Sequence, residues 1–402
     1  MEEGGLTKRI NLTVTISCGS TSSTHSSNPV VFPNLPSHIS EKILCRLPRY
    51  ARAVASCVCR SWRDALLCSS INRGQEEEEE WLYISVFDKT RAMQGCMWKD
   101  DYRWLLFDPE STRTKTLIPP PLLRRFSVGE YGVQTISLRN NLFVLGLGFF
   151  DEGYDSLCYS DCTRDWSVLP HMDTNRCFFA CAGLGNFVYV AGGNDFIKKN
   201  LKSAERFDIE KSRWETLPDM IKARDLCSAF ILNSKVYVIG GYKQYYGEDY
   251  HQQPRYKVHF TGEYFDPETL VWTLVPDMWP PDFWPAVNGG LLKPIVAVVR
   301  NKLYALKFNT DAVFEYDASQ NRWGYIGSVG KSIDSSVEDC RLLGIGEELW
   351  VMLHARHKKD LCILVCNPTQ CHSGGSLSFR EIELNLEKRL SFLQFCGVFH
   401  VT

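Results

Sequence analysis

The stretch CFFACAGLGNFVYVAGG, residues 177–193, decides the fold class of this chain. Two apolar runs flank the turn pair Gly185-Asn186, whose residue types tolerate the left-handed backbone of a tight hairpin. The second run ends on Gly192-Gly193, a pair that allows one backbone to approach another closely. The stretch therefore predicts two antiparallel strands that end against a tightly packed neighbour.

The same pattern recurs along the chain after residue 130. Each copy has a variable strand, a short turn and a very apolar strand. The other copies are VQTISLRNNLFVLGLG (133–148), LCSAFILNSKVYVIGG (226–241), IVAVVRNKLYALKF (295–308) and CRLLGIGEELWVML (340–353). Gly240-Gly241 repeats the glycine pair, which the other copies have lost. Short strands at regular spacing predict an all-β repeat fold.

A second recurring element joins an aromatic residue to a Trp seven residues later. It occurs as Tyr159 with Trp166, Phe207 with Trp214, Phe265 with Trp272, and Tyr316 with Trp323. The first three copies continue into a Pro four residues after the Trp. A four-stranded unit with two apolar faces must be covered by neighbours on both sides, so the units should close into a ring. We expect each Trp to fill the gap between neighbouring units near the rim.

The repeat period of about 50 residues, with a glycine pair after one strand and a distal Trp, resembles the kelch repeat. This resemblance implies a kelch-type β-propeller over residues 81–402. We expect six blades, or seven if the segment 242–262 hides further strands. The C-terminal apolar run FLQFCGVFHV (392–401) is predicted to close the ring by pairing with the first blade.

The stretch FPNLPSHISEKILCRLPRYARAVASCVCRSWRDAL, residues 32–66, predicts two or three small helices. Its apolar residues follow helical steps of three and four, namely Leu35, Ile39, Ile43, Leu44 and Leu47, and then Val54, Val58 and Trp62. So short a segment cannot bury both apolar stripes within itself. It should therefore pack on the rest of the chain, as an ordinary helical hairpin, or on a partner.

This stretch resembles the F-box, through Leu35-Pro36, Ile43-Leu44, Leu47-Pro48, Val58-Cys59-Arg60 and Trp62. The resemblance assigns residues 32–73 to a small all-α F-box module, which docks on a Skp-type adaptor and so on a cullin-RING ubiquitin ligase. The adaptor contacts that it implies are Leu35, Pro36, Ile39, Ile43, Leu44, Leu47, Val58, Cys59 and Trp62. The excess of Lys and Arg in this segment fits either a solvated face or steering toward an acidic adaptor.

Together the two patterns resemble the plant F-box proteins with kelch domains. The resemblance implies the substrate receptor of an SCF-type E3 ubiquitin ligase, without catalytic residues, cofactor or metal of its own. It also suggests a target among enzymes of phenylpropanoid or flavonoid synthesis, such as chalcone synthase or phenylalanine ammonia-lyase. We expect the target on the propeller loops, with the Tyr-rich segments 242–262 and 282–294 as candidates.

Two other classes of function remain open at this point. The first is an enzyme or small-molecule receptor built on the propeller and regulated by the helical arm. The second is a scaffold whose F-box-like module never joins a ligase. Residues 1–31, which end in a Ser/Thr-rich tract, should be disordered, and the acidic run in 74–80 should be a solvated linker.

Composition argues against several classes of function. The chain has 402 residues with 44% hydrophobic and 23% charged residues and a net charge of −2, which is typical of a soluble protein that binds neither nucleic acid nor membrane. We find neither a secretory signal nor a run of ~18 apolar residues. Sixteen cysteines without an export signal indicate reduced thiols, so we expect a cytoplasmic and/or nuclear protein.

Motifs for catalysis or metal binding are weak. The chain has no P-loop, GxSxG, HExxH or Rossmann fingerprint. Cys362 and Cys366 belong to an apolar strand, where four residues separate them by ~13 Å, too far for one zinc ion.

Overall fold

In the computed structural model of the protein, the chain divides into two compact units, Met1–Glu77 and Glu78–Thr402. The structure describes residues 39, 43, 58–59, 61–62, 79–87, 102–107, 114–117, 132–149, 153–161, 163, 165–195, 199–245, 255–283, 293–307, 310–331, 337–355, 361–369, 377–382 and 392–401. Ile39, Ile43, Ser61 and Trp62 of the first unit have helical backbone. The rest of the predicted F-box helices lies outside the described residues.

Within these ranges, the structure contains no helix with the length and apolarity that a membrane crossing requires.

The described part of the second unit consists of β-strands and one 3₁₀ turn, Pro281–Phe283. The first thirteen strands are β1 (Glu79–Phe87), β2 (Tyr102–Phe107), β3 (Thr114–Leu117), β4 (Gln134–Leu138), β5 (Asn141–Phe149), β6 (Gly153–Ser160), β7 (Asp165–Leu169), β8 (Ala180–Leu184), β9 (Phe187–Ala191), β10 (Ala204–Asp208), β11 (Arg213–Leu217), β12 (Ser228–Leu232) and β13 (Lys235–Ile239). The others are β14 (Tyr242–Tyr245), β15 (Arg255–Val258), β16 (Gly262–Asp266), β17 (Val271–Val275), β18 (Val296–Val299), β19 (Lys302–Leu306), β20 (Ala312–Asp317), β21 (Arg322–Ser328), β22 (Val337–Ile345), β23 (Glu348–Ala355), β24 (Leu361–Cys366), β25 (Arg380–Ile382) and β26 (Phe392–Val401).

The strands form six four-stranded antiparallel sheets and one two-stranded sheet. From the inner to the outer strand, sheet 1 is β26-β1-β2-β3, sheet 2 is β4-β5-β6-β7, sheet 3 is β8-β9-β10-β11, sheet 4 is β12-β13-β16-β17, sheet 5 is β18-β19-β20-β21 and sheet 6 is β22-β23-β24-β25. The segment 242–262, a candidate for extra strands on its sequence, contributes the two-stranded hairpin β14-β15 between the second and third strands of sheet 4.

Tight two-residue turns join the inner two strands of sheets 2, 4 and 5. Their residues Arg139-Asn140, Asn233-Ser234 and Arg300-Asn301 all have left-handed backbone, with φ between 47 and 60°. Turns with two left-handed residues follow the natural twist of a hairpin, and Asn accepts this conformation at little cost. The hairpin turns predicted from the sequence are confirmed.

The seven-residue spacing of the aromatic–Trp element places the two rings on facing strands. Phe207 on β10 lies opposite Trp214 on β11, with ring centroids 5.3 Å apart. Equivalent pairs occur in sheets 2, 4 and 5, and Phe107 faces Thr114 at the same place in sheet 1. Asp208 follows Phe207, and its carboxylate accepts the backbone N–H groups of Glu210 and Lys211, which fixes the turn between the two strands.

Each of three Trp side chains also joins its sheet to the preceding one. The indole N–H of Trp214 donates to the carbonyl of Pro170 at 2.9 Å, and that of Trp272 donates to the carbonyl of Pro218 at 2.8 Å. Trp323 reaches the carbonyl of Met278 at 2.7 Å. The Trp rings pack on apolar clusters shared by two sheets. In two of the three junctions the repeated Trp and Pro of the sequence thus meet across neighbouring sheets.

The glycine pairs lie where backbone from the next junction comes close. Gly192 has φ +69°, and a Cβ added there would lie 2.6 Å from the carbonyl oxygen of Arg224. Gly241 has φ +80°, and its added Cβ would lie 2.7 Å from the carbonyl oxygen of Asp225. Only glycine satisfies both the left-handed backbone and the close approach.

The six sheets are arranged in a cycle. The inner strands contact each other in the order β26, β4, β8, β12, β18, β22 and back to β26. Among the described residues, each of the six apolar clusters is shared by two neighbouring sheets. β26 pairs with β1 along its whole length, which is the closure that the sequence predicts. The architecture is an all-β propeller.

Candidate functional site

The two ends of the propeller differ in how the strands are connected. Because the strands of each sheet are antiparallel, first-to-second and third-to-fourth connections lie at one end, and the remaining connections lie at the other. The first end has the tight turns described above. We call the second end the long-loop face. Its described residues include 170–179, 192–195, 199–203, 218–227, 240–245, 255–261, 276–283 and 293–295.

Both segments predicted to bind a target belong to the long-loop face. In the segment 242–262, the hairpin of β14 and β15 carries Tyr242 and Tyr256, whose rings meet edge to face at 5.1 Å. In the segment 282–294, the structure describes Asp282, Phe283 and residues 293–294. Residues 246–254 and 284–292 lie outside the described residues. The role of these segments in binding stays a prediction.

A buried ion pair anchors the loop that enters sheet 4, and we call it the sheet-4 clasp. Arg224 precedes β12, and Glu263 is the second residue of β16; both side chains are fully buried and lie 2.9 Å apart. The guanidinium of Arg224 also donates to the carbonyls of Gly240 (2.7 Å) and Thr261 (2.8 Å). Burial lowers the pKa of Arg224, and the charge of Glu263 opposes that shift. A buried charge pair persists when hydrogen bonds satisfy its remaining donors and acceptors, as in this pair.

Glu263 extends the clasp to the backbone of the entering loop. Its carboxylate accepts the N–H groups of Ile221 at 2.6 Å and Lys222 at 3.1 Å. The clasp thus fixes residues 218–227 against the second and third strands of sheet 4. It positions the long-loop face without exposing either charge.

Sheet 3 has the same device, the sheet-3 clasp. Arg176 pairs with Glu205 at 2.5 Å, and both side chains are buried. The guanidinium donates to the carbonyls of Gly192 and Ser203, while Glu205 accepts the N–H groups of Asp173 and Thr174. Two successive junctions are therefore held by equivalent buried pairs.

The sequence patterns did not reveal either clasp. Arg176 and Arg224 each lie four residues before an inner strand, and Glu205 and Glu263 each lie two residues before the motif aromatic. Arg and Glu are usually exposed, so one pair alone does not suggest burial. The signal lay in the agreement of both positions between the two best copies of the repeat.

A second buried polar group connects sheets 3 and 4. The side-chain amide of Asn194 donates to Asp225 at 2.7 Å, and the thiol of Cys177 donates to the amide oxygen of Asn194 at 2.8 Å. Asp225 and Tyr242 also exchange backbone hydrogen bonds of 2.9 Å. Burial raises the pKa of the Asp225 carboxyl. These contacts hold the loops of neighbouring sheets together below the surface.

His259, which follows the β14-β15 hairpin, is buried beside the sheet-4 clasp. Its Nε2–H group donates to the carbonyl of Ala223 at 3.1 Å. Burial, together with the positive charges of Arg224, Lys222 and Lys257, lowers the pKa of His259 to about 4. His259 is therefore neutral at neutral pH and acts as a hydrogen-bond donor in the core of the loop.

The described part of the F-box segment presents apolar side chains to solvent. Ile39, Ile43 and Val58 are 36%, 41% and 59% exposed. Cys59 is also exposed, and Trp62 is partly buried. The other predicted adaptor contacts, Leu35, Pro36, Leu44 and Leu47, lie outside the described residues.

The described residues contain no cluster of His, Cys, Asp or Glu that could hold a metal ion. Cys362 and Cys366 lie on β24, as the sequence predicts. The thiol of Cys362 lies 3.1 Å from the Lys331 ammonium and 3.3 Å from the Glu381 carboxylate. The thiol therefore contacts the ion pair between Lys331 and Glu381, which lie 2.8 Å apart.

The fold and the repeated clasps define a propeller of the kelch class. The kelch motif model matches residues 175–221 and 223–278, which include sheets 3 and 4 with their clasps. The F-box domain model matches residues 32–73. An F-box implies binding to a Skp-type adaptor, and a kelch propeller implies interaction with other proteins.

Curated plant proteins share this combination. The chain is 30% identical over 335 residues to F-box/kelch-repeat protein At1g26930 of Arabidopsis thaliana. The aligned region covers 82% of this chain and 74% of that protein. F-box/kelch-repeat protein At1g16250 of Arabidopsis thaliana is 24% identical over 316 residues, covering 74% of this chain and 75% of that protein. The chain belongs to the F-box/kelch-repeat family. Members of this family typically act as non-catalytic substrate adaptors of SCF ligases.

Proposed function

We propose that this chain is the substrate-recognition subunit of an SCF-type E3 ubiquitin ligase. In this proposal residues 32–73 dock on a Skp-type adaptor, and residues 81–402 hold a target protein. The chain itself supplies no catalytic residue. It raises the effective concentration of the target near the ubiquitin-transfer machinery, which acts through proximity. We place the complex in the cytoplasm and/or the nucleus.

The observation that carries the adaptor role is the exposure of Ile39, Ile43 and Val58. Apolar side chains at helical spacing that remain exposed within their own chain are available to a partner. Burying one such side chain in an interface contributes about 1.5–3 kcal/mol. The F-box match over the same residues names the partner class.

For the propeller, we infer that the six four-stranded sheets are the six blades of one ring. The closed cycle of contacts between inner strands supports this blade count. We further propose that the target binds the long-loop face. Its connections are longer than the tight turns of the opposite end, and long loops at one end of a scaffold are common binding sites.

The adaptor role is tested by a pull-down of the full chain with a purified Skp-type adaptor. Ile39→Asp combined with Ile43→Asp should abolish capture, because both side chains are exposed and would place charge in an apolar interface. Val168→Asp combined with Val271→Asp changes two exposed valines of the propeller by the same charge and should leave capture intact. Failure of the unchanged protein to bind the adaptor would overturn the proposal.

The target class that the resemblance suggests, enzymes of phenylpropanoid or flavonoid synthesis, stays a prediction. The names of the matched relatives give no target. A reconstituted ligase containing this chain should ubiquitinate chalcone synthase or phenylalanine ammonia-lyase if the prediction is right. Equal ubiquitination with and without the chain would reject both enzymes as targets.

A further inference from the structure

The lysines of sheet 4 fall into two groups according to their end of the propeller. Lys235, beside a tight turn, pairs with Asp266 at 3.0 Å. Lys222, Lys243 and Lys257 belong to the long-loop face and form no ion pair within the described part of the chain. Elsewhere, Lys211 and Lys302 also pair with carboxylates. Among the described residues, the long-loop face of sheet 4 therefore carries positive charge that no ion pair neutralises.

Two of these lysines oppose each other on the β14-β15 hairpin. Lys243 and Lys257 are direct cross-strand partners, and both are exposed. Like charges directly opposite each other destabilise a hairpin. An anionic group bound between them would relieve this repulsion.

Lys222 adds a third charge to the same place. Burial lowers the pKa of Lys222, and the charges of Arg224 and Lys257 lower it further. The carboxylates of Glu263 and Asp277 oppose the shift. Glu263, however, is already bound by Arg224 in the clasp. The entering loop lies against the base of the hairpin, because Lys222 Nζ donates to Thr261 Oγ1 at 3.3 Å and His259, two residues after Lys257, donates to the carbonyl of Ala223 at 3.1 Å.

An apolar side chain accompanies these charges. Ile221, the neighbour of Lys222, is 53% exposed although its backbone is fixed by Glu263. We call Ile221, Lys222, Lys243 and Lys257 the basic loop patch. Rigid apolar anchors beside charged groups are typical of protein-binding surfaces.

We propose that the basic loop patch binds an acidic, extended segment of the target protein, with an apolar side chain of that segment on Ile221. The inference rests on the proposed role as a target receptor. Charge complementarity defines the occupant, because the three lysines attract carboxylates. An acidic peptide fits better than a nucleic acid, since the patch is small, contains an exposed isoleucine and belongs to a chain of net charge −2.

The test measures peptide binding to the full chain by fluorescence anisotropy at an ionic strength of about 0.1 M. The probe is a fluorescein-labelled peptide of glutamates flanking a central leucine. The comparison probes are the same peptide with glutamine in place of glutamate and a single-stranded DNA of similar charge. We expect the glutamate peptide to bind most tightly.

Charge reversal locates the binding. Lys243→Glu combined with Lys257→Glu should weaken binding of the glutamate peptide at least about tenfold. The control, Lys211→Glu combined with Lys302→Glu, makes the same change of net charge away from the patch and should alter binding less than about twofold. Equal weakening by both variants, absence of binding by the unchanged chain, or tighter binding of the DNA would overturn the inference.

The adaptor pull-down separates this inference from the proposed function. Lys243→Glu with Lys257→Glu should capture the adaptor as well as the unchanged chain does. A urea denaturation midpoint equal to that of the unchanged chain shows that the propeller of the variant is folded. Intact adaptor capture with no glutamate-peptide binding by the unchanged chain would overturn the inference alone. If the unchanged chain did not capture the adaptor, the proposed function would be overturned, whatever the peptide result.

Discussion

Sheets 4 and 5 fasten the loops that enter them with different chemistry. In sheet 4, Glu263 lies two residues before Phe265, the aromatic residue that faces Trp272, and it pairs with Arg224. The register-equivalent residue of sheet 5 is Phe314, whose ring lies 4.5 Å from that of Phe283 in the entering loop. A buried ion pair in one sheet corresponds to an aromatic pair in the next.

The residues that contact the two pairs also differ between sheets 4 and 5. Gly240 follows β13, and its carbonyl accepts a hydrogen bond from Arg224. At the corresponding place after β19 stands Lys307, which bonds Asp282 at 2.6 Å and lies 5.6 Å from the centre of the Phe283 ring. The comparison teaches that a buried ion pair and an aromatic pair can both connect the entering loop to the third strand of a sheet.

The largest expected effect comes from breaking the sheet-4 clasp. Arg224→Ala leaves Glu263 buried without its cation, which costs roughly 3–5 kcal/mol of unfolding free energy. Urea denaturation of the full chain measures the loss. Arg213→Ala, which removes an exposed partner of Glu215, should change stability little. Equal losses for the two variants would show that the clasp is not a special contact.

Breaking the aromatic fastening of sheet 5 should come next. Phe283→Ala removes a buried ring from Trp279, Phe314 and Trp323 and should cost about 3 kcal/mol. Phe283→Leu keeps most of the apolar volume and should cost about 1 kcal/mol. The same urea titration measures both. If Phe283→Ala lost less unfolding free energy than Phe283→Leu, the role assigned to the ring would be wrong.

Acid should destabilise the protein through His259, beside the sheet-4 clasp. The pKa of His259 is lowered from 6.5 to about 4, so the folded protein resists its protonation. Its contribution is complete above about pH 6.5 and is lost as the pH falls toward 4, by about 2–3 kcal/mol. Stability measured from pH 7 to 4 should show this slope, and His259→Gln should flatten it. An unchanged slope in the variant would place the acid sensitivity elsewhere.

The smallest expected effect comes from replacing both charges of the sheet-4 clasp, which tests directly whether sheet 4 can be held by apolar contacts as sheet 5 is. Arg224→Met combined with Glu263→Leu removes both charges of the clasp and replaces them with apolar groups, as sheet 5 does. Stability should fall by about 2 kcal/mol, less than in Arg224→Ala, because no charge is left buried alone, although the N–H groups of Ile221 and Lys222 lose their acceptor. A double-mutant cycle with the two single variants measures the coupling. A double variant as unstable as Arg224→Ala would mean that sheet 4 depends on the ion pair itself.

Apart from the closure between β1 and β26, the sequence predicted those parts of the fold that depend on near neighbours. The turn Asn233-Ser234 and the pair Phe265 with Trp272 form within one hairpin, so their spacing is visible in the chain. The clasps were not predicted, because Arg224 and Glu263 come from separate segments and both residue types are ordinarily exposed. The basic loop patch was not predicted for a related reason. A lysine without an ion pair is recognised only when the positions of the surrounding carboxylates are known.

The pairing of β26 with β1 constrains how the protein is made. During synthesis β1 leaves the ribosome early, but its inner partner, Phe392–Val401, emerges more than three hundred residues later. Until then the edge of β1 offers unpaired backbone groups to other nascent chains. Sheet 1, which contains the earliest synthesised strand, is thus the last sheet to be completed. The growing polypeptide has to be shielded from aggregation until β26 has been synthesised.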